Sequence, residues 1–185
     1  VFRGLGCEVI EDAPDFSGAK EAAIILRGLR FVALYQDQMD DPEFKRWVNP
    51  LVTGNIEQGL NFSIRDVARA QRVRSELWDR VRCFFDEYDL LLTPTAPIPP
   101  FPAETRYPTE IDGQPMENYI DWAMLTYAIT MTGSPAISVP CGWTSEGLPV
   151  GLQIVGRHNS EAALLRAAAA YELAAPWTDK RPTLE

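Results

Sequence analysis

The sequence predicts an α/β fold, and two stretches carry this prediction. Within Gly133–Gly156, two apolar runs with β-branched residues, Ala136–Val139 and Val150–Val155, flank a connection that contains glycine and proline, a pattern typical of two strands. Upstream, apolar residues at helical spacing lead into the short apolar run Asp89–Thr93, which is typical of a strand covered on both faces. Strands and helices that alternate in one chain favour helices packed against a sheet.

The composition is that of a globular domain. Of 185 residues, 46% are hydrophobic and 23% are charged, so a sizeable core is possible and one domain over residues 1–185 is expected. The formal net charge of −9 argues against a nucleic-acid partner and against an anionic membrane surface. No apolar run has the length of a membrane span, and no signal-peptide pattern opens the sequence.

Three cysteines bear on the compartment and on metal binding. Cys7, Cys83 and Cys141 are odd in number and widely spaced, so neither a disulfide framework nor a zinc site is expected. A reducing cytoplasm is the simplest compartment for such a chain. Cys141 has no base nearby in the sequence, and we expect a small buried hydrophobe there rather than a reactive thiol.

The first part of the chain is predicted to be mainly helical. A short strand is expected at Leu5–Ile10, and Ser17 is placed to cap a helix that runs to about Gln38. The stretch Pro42–Gly59 is expected to be irregular or to form short helices, with Trp47 and Leu51 as buried anchors.

The longest helix is predicted from Ser63 to Tyr88. Asp66 follows Ser63 by three residues, which approximates a capping box. Arg74 lies on the apolar stripe of this helix, and its head group is expected to reach water along an apolar stem. The alternative is a buried ion pair or a contact with a substrate or partner, because an arginine on such a stripe must find partners or solvent.

A proline-rich connection over residues 96–118 separates the two strand regions. Long connections in compact domains are packed surface loops or functional lids, and we keep both interpretations for this one. A helix is predicted at Tyr119–Met131, and Ser160 is expected to cap the last helix. A tail is expected over Trp177–Glu185.

Two motifs in order carry a family resemblance. Gly133–Gly156 reads GSPAISVPCGWTSEGLPVGLQIVG, and Asp89–Pro97 reads DLLLTPTAP. Together they resemble the C-terminal part of the amidase signature family, whose members are serine-dependent hydrolases and amidotransferases that act on carboxylic amides. The resemblance implies the C-terminal part of a mixed β-sheet flanked by helices, a small-molecule amide substrate, and neither an organic cofactor nor a metal.

The same resemblance implies that the catalytic residues lie outside this sequence. The family's centre is a Ser–cis-Ser–Lys triad, with both serines in a Gly/Ser-rich loop that has no counterpart here. The three lysines, Lys20, Lys45 and Lys180, fall in segments that match other parts of the family. We therefore expect no catalytic residue in this chain and no amidase activity from it alone.

The resemblance also implies where a substrate pocket would lie. The segment Tyr119–Met131 corresponds to a connection that runs towards the family's cleft, which makes Asp121, Trp122 and Thr130 candidate pocket residues. Helix surface or core is the alternative for each of them. Members that act on glutamine-like substrates tend to have an acidic residue and an N-L-A-G run about here, where this chain has Asp121 and the run TMTG over Thr130–Gly133 instead. This departure favours an amidase of more apolar specificity over part of a tRNA-dependent amidotransferase.

No second catalytic constellation is evident. His158 is the only histidine, and without a G-x-S-x-G elbow it is expected to be an ordinary loop residue. Ser134 and Ser138 have no base nearby in the sequence and are expected in turn and strand roles. The alternative to an enzyme part is a non-catalytic α/β interaction domain that forms a homodimer, or pairs with a separate N-terminal half, through an open strand edge.

Overall fold

The computed structural model describes residues 1–180 and confirms an α/β fold. Residues 181–185, which end the predicted tail, lie outside the described part. The chain forms two compact units. We call residues 16–79 the helical unit, and residues 1–15 together with the chain from Arg80 onward the sheet unit.

Helices α1 to α3 and the first part of α4 make up the helical unit. They span Ala19–Tyr35 for α1, Pro42–Trp47 for α2, Pro50–Leu60 for α3 and Ile64–Glu87 for α4. Helix α1 ends close to the predicted residue, with a 3₁₀ turn at Gln36–Gln38, but Gly18 rather than Ser17 is its N-cap residue.

Helices α2 and α3 begin by the same local device. In each, an Asp or Asn precedes a proline at the first helical position and accepts a hydrogen bond from a backbone N–H. Asp41 accepts from Glu43 at 2.9 Å, and Asn49 accepts from Leu51 at 2.9 Å. The prediction of a buried Trp47 is wrong, because its side chain is 74% exposed at the end of α2, where Arg46 lies over its ring.

Helix α4 opens with the predicted capping box. The Ser63 N–H donates to Asp66 Oδ2 at 3.0 Å, and the Asp66 N–H donates to Ser63 Oγ at 3.2 Å. Ala70, Leu77 and Phe85 are buried along this helix. Arg74 is exposed, as expected for a stem that carries its head group to water.

A three-stranded antiparallel sheet forms the centre of the sheet unit. Strand β1 spans Leu90–Pro94, and two further strands, which we number β4 and β5, span Ala136–Trp143 and Pro149–Gly156. The spatial order is β1-β5-β4, so β5 is central. Helices α5, Met124–Thr132, and α6, Glu161–Ala174, follow the connection and the sheet respectively.

The two faces of this sheet differ in polarity. On one face, Leu92, Ile137, Val139, Leu152 and Ile154 pack with residues of α6 in a single core cluster. Leu164, Ala168 and Tyr171 are the buried members from the helix. Thr93, Gln153 and Ser138 form one register row and, because side chains alternate along strands, they lie on the opposite face.

The connection over residues 96–118 contains a small hairpin that the sequence analysis missed. Strands β2, Glu110–Ile111, and β3, Gln114–Pro115, pair around Asp112 and Gly113, whose φ angles are 50° and 72°. Two successive positive φ angles are typical of a type I′ turn, for which Asp-Gly is a preferred pair.

The predicted strand at Leu5–Ile10 is wrong. Phe2–Leu5 forms a 3₁₀ turn, Gly6 is left-handed, and no strand follows before α1. A strand requires a ladder partner, and the residues that follow this segment are held by side chains instead. Tyr88 donates its hydroxyl to Asp12 at 2.7 Å, and Arg80 pairs with Asp15 at 2.9 Å.

Candidate functional site

The two motif segments meet on the polar face of the sheet. Gln153, only 5% exposed at the centre of β5, donates through Nε2 to Thr93 Oγ1 at 2.9 Å. The same amide donates to the Leu125 carbonyl of α5 at 3.4 Å. These two hydrogen bonds join β5 to β1 and to α5. Losing both would leave a buried amide without partners, which costs about 1–3 kcal/mol.

A pair of hydroxyls bridges the central strand. Thr95 directly follows β1 and Ser138 lies in β4. Their hydroxyl oxygens, Thr95 Oγ1 and Ser138 Oγ, lie 2.7 Å apart. They meet above Gly151, where an added Cβ would stand 2.8 Å from the threonine oxygen and 2.9 Å from the serine oxygen. Only glycine on the central strand leaves room for this bridge.

This polar face carries no nucleophile–base pair within residues 1–180. His158 is exposed, and its Nδ1 lies 3.1 Å from the Gly133 carbonyl oxygen at the end of α5. Ser138 faces a threonine hydroxyl rather than a base. In the same range, no group of three or more His, Cys, Asp or Glu side chains is placed to hold a metal ion. The arrangement can position neighbouring groups, and it offers no residue to activate a serine.

The three candidate pocket residues have separate local partners. Asp121 Oδ2 accepts from the Glu117 N–H at 2.8 Å and so closes the turn before α5. Trp122 stacks edge-to-face on Phe101 of the proline-rich connection, with 5.5 Å between ring centroids. Thr130 is exposed on α5 and donates to the Thr126 carbonyl at 2.9 Å. Their role as pocket residues stays a prediction.

Two local predictions have opposite outcomes. His158 is a loop residue in a hydrogen-bonded position, as expected. Cys141 is exposed, so its prediction as a buried hydrophobe is wrong. It lies on an edge strand within the register shift between Pro140 and Gly142, where the ladder is irregular.

Gln153 was the functional-site residue that the sequence analysis missed. A signal for it was present, since it is the one polar residue in the apolar run Val150–Val155. A buried polar side chain in such a run must find hydrogen-bond partners, and the partners were the threonine of the other motif and a helix carbonyl.

Comparison with known proteins decides the family. The family model described as Amidase matches residues 21–165. This chain belongs to the amidase family. An acylamidase from Rhodococcus erythropolis is 33% identical over 182 residues, which cover 98% of this chain and 38% of that relative.

Two further comparisons agree with the assignment. One component of a glutamyl-tRNA(Gln) amidotransferase from Thermodesulfovibrio yellowstonii is 40% identical over 116 residues, or 63% of this chain and 23% of that relative. The solved structure of a bacterial aryl acylamidase of the amidase signature family superposes with a TM-score of 0.77 at 27% identity, covering 91% of this chain and 37% of that one. The chain thus spans less than two fifths of these amidase-family relatives.

The described part of this amidase-family chain has no helix that is both long and apolar enough for a membrane span.

Proposed function

We propose that this chain is the C-terminal part of an amidase-like hydrolase that cleaves carboxylic amides by a Ser–cis-Ser–Lys triad outside the chain. The observation that carries the proposal is the 33% identity to an acylamidase over 98% of this chain, which spans only 38% of that relative. The absence of a nucleophile–base pair on the polar face of residues 1–180 supports it.

The proposed chemistry divides the work between two regions. The outside region acylates a serine while its lysine accepts the proton through the bridging serine, and backbone amides hold the oxyanion. This chain contributes sheet strands, a pocket wall and a lid. Gln153 and the Thr95–Ser138 bridge keep the strand ends in place beside the pocket.

We propose Asp121, Trp122 and Thr130 as parts of the pocket wall and residues 96–118 as the lid. The ring contact of Trp122 with Phe101 supports this, because it links the candidate wall to the candidate lid. Trp122 offers an apolar surface, which suits an aryl or alkyl amide better than a glutamine-like one. The acylamidase match extends over more of this chain than the amidotransferase match, which supports the same choice.

Fusion with a relative tests the proposal. The remaining part of the Rhodococcus erythropolis acylamidase would be joined to this chain, and release of an aromatic amine from an N-acylated arylamine would be measured. We expect activity from the fusion, its loss with a serine-directed inhibitor, and none from residues 1–185 alone. Inhibitor-sensitive hydrolysis by the isolated chain would refute the proposal.

A non-catalytic interaction domain is the second candidate. Strands β1 and β4 are both edge strands, which supports pairing with a second copy or with a separate N-terminal half. Light scattering of the purified chain over a wide concentration range tests self-association, and a monomer throughout would count against the homodimer. The three free cysteines support a cytoplasmic location, since exposed thiols persist in a reducing compartment.

A further inference from the structure

A cavity of about 260 Å³ lies within the helical unit. Three helices and the segment between α3 and α4 line it. The lining residues are Glu21, Ile24 and Ile25 of α1, Gln58 of α3, Phe62, and Asp66 and Arg69 of α4. None of these residues has a part in the function proposed above.

The floor of the cavity is apolar and fixed in place. Ile25 is buried, and Ile24 and Phe62 are half-buried beside it. The Phe62 ring packs closely against α1, because a Cβ added to Gly28 would stand 3.1 Å from its Cε2 atom. An apolar group that enters the cavity therefore leaves water for a surface that is already formed.

The rim of the cavity is polar, and ion pairs hold it in a defined arrangement. Arg69 donates through Nη2 to Glu21 Oε1 at 2.7 Å and to Asp66 Oδ1 at 3.3 Å. The other carboxylate oxygen of Asp66 accepts from the N–H and the hydroxyl of Ser63 in the capping box. Both oxygens of Asp66 are therefore engaged within the protein.

Hydrogen-bonding groups of both kinds remain unused on the rim. Within residues 1–180, Nε and Nη1 of Arg69 have no acceptor, and Glu21 Oε2 has no donor. In the same part of the chain, the Gln58 side chain, which offers a carbonyl oxygen and an N–H₂ group, makes no hydrogen bond. The rim can therefore donate to a ligand and accept from it at the same time.

This combination of donors and acceptors restricts the ligand. An ammonium group has donors only and would leave the Arg69 N–H groups without an acceptor, whereas a carboxylate has acceptors only and would face Glu21 and Asp66. Glu21 and Asp66 also lie in the first turns of α1 and α4, and the partly positive helix N-termini oppose a cation. A primary carboxamide presents an N–H₂ donor and a carbonyl acceptor side by side, so it can use both kinds of group.

The volume of the cavity limits the apolar part of the ligand. A dry engineered cavity of about 150 Å³ is large enough to bind benzene. The cavity described here, at about 260 Å³, has room for one ring with a small polar group attached.

We propose that this cavity, which we call the amide cavity, binds a neutral primary carboxamide that carries one aromatic ring or an alkyl group of similar size. The apolar group lies on Ile24, Ile25 and Phe62. The amide N–H₂ donates to Glu21 Oε2, and the amide oxygen accepts from Arg69. The inference goes beyond the proposed function, because it concerns binding in the helical unit and requires no hydrolysis.

Nuclear magnetic resonance of the full chain tests the proposal, with benzamide as the probe. We expect the methyl signals of Ile24 and Ile25 and the Nε–H signal of Arg69 to shift saturably. A ligand of this size should bind with a Kd of about 1–10 mM. Benzoate and benzylammonium, which carry the same ring, should bind at least about fivefold more weakly, because each matches only one kind of rim group.

Two variants and a control make the result specific. Arg69→Met removes the donors to the amide oxygen and should weaken benzamide binding at least about fivefold. Glu21→Gln keeps the size of the side chain but removes one rim carboxylate, so benzoate binding should improve relative to benzamide by at least about threefold. Glu57→Gln changes a carboxylate of α3 outside the cavity and should leave all three affinities unchanged. Circular dichroism establishes that each variant folds.

Defined outcomes would overturn the proposal. One is the absence of a saturable shift in a folded chain up to the solubility limit of benzamide. Another is tighter binding of benzylammonium or benzoate than of benzamide, and equal affinity for the three probes would show an apolar depression that does not recognise the amide. If Arg69→Met does not fold, the ratio of benzoate to benzamide affinity in Glu21→Gln decides alone. Hydrolysis by the fused acylamidase bears on the proposed function and leaves these binding readouts unchanged.

Discussion

Replacement of Gln153 should lower the stability of the polar face of the sheet. Gln153→Met keeps the side-chain volume but removes the donor to Thr93 Oγ1 and the Leu125 carbonyl. We expect the free energy of unfolding to fall by about 1–2 kcal/mol, because a half-buried hydroxyl then lacks its donor. Urea denaturation measures the change.

A second substitution separates the hydrogen bond from packing. Thr93→Val in the Gln153→Met background removes the stranded hydroxyl, so the double variant should recover part of the loss. Strict additivity of the two single effects would show that the bond contributes nothing to stability.

Asp66 makes the start of α4 sensitive to acid. The Ser63 hydroxyl and N–H donate to its carboxylate, and these bonds lower the pKa of Asp66 below its ordinary value of 3.8. A lowered folded-state pKa means that the stabilisation is present above that ordinary value and is lost as pH falls through the folded-state pKa.

The prediction for Asp66 is that the effect of its substitution on the free energy of unfolding depends on pH. Asp66→Asn should lower the free energy of unfolding at neutral pH, and the gap to the unchanged chain should close once the pH is below both pKa values. Denaturation curves at several pH values measure this, with Ser63→Ala as the control that removes the bonds of the Ser63 hydroxyl and keeps the backbone N–H bond to Asp66. A gap that is constant with pH would contradict the assignment.

At the scale of single residues, the sequence predicts contacts between residues that are near each other in the chain. The capping box was predicted because both partners lie within four residues of each other. The roles of Gln153 and Gly151 depend on strands distant in sequence, so no local pattern could supply their partners. The predictions for Trp47 and Cys141 were wrong because a hydrophobic side chain is buried only when another element covers it, and no element within residues 1–180 covers these two.

At the scale of elements, α1 and α3 approach each other closely at Gly28 and Gly59. An added Cβ on Gly59 would stand 2.5 Å from the Gly28 carbonyl oxygen and 2.7 Å from Val32 Cγ2. Gly59→Ala should therefore lower the free energy of unfolding by about 1–3 kcal/mol, as overpacking does in well-packed cores. Thermal unfolding measures the effect.

The same helix supplies a matched control. Gly54 also lies in α3, and an added Cβ there meets nothing within 4 Å. Gly54→Ala should be neutral or stabilise the chain by up to about 1 kcal/mol, because alanine is the better helix former. Equal effects at the two positions would show that backbone approach does not set the cost at Gly59.

Helices and strands were predicted correctly where the residues of the element itself determine its structure. They were missed where contact with another element determines it. Helix α4 and strands β1, β4 and β5 carry strong periodicity and turn signals, and the structure has all four. The strand at Leu5–Ile10 failed because β-prone residues pair only when a partner edge is within reach. The β2–β3 hairpin was missed although Asp112-Gly113 is a turn pair, because its strands have only two residues each.

For the molecule as a whole, we propose that residues 1–185 unfold as the single domain predicted from the sequence. The boundary between the two units falls inside α4, which is continuous from Ile64 to Glu87. Leu77 and Val81, one on each side of that boundary, are buried. Helix formation is cooperative, so unwinding on one side should propagate to the other.

Tryptophan fluorescence can separate the units. Trp78 belongs to the helical unit and Trp143 to the sheet unit, so variants that retain only one of them report each unit alone. We expect their urea transitions to coincide with each other and with circular dichroism. Two separated midpoints would show two independent domains.

The outward prolines of the sheet have a consequence for handling the protein in concentrated solution. Pro94 on β1 and Pro140 on β4 both occupy positions whose backbone faces away from β5. Each edge can therefore offer only a short ladder, ended by a residue that cannot donate. Fibril growth needs a long template that every added copy renews, and these two edges present none.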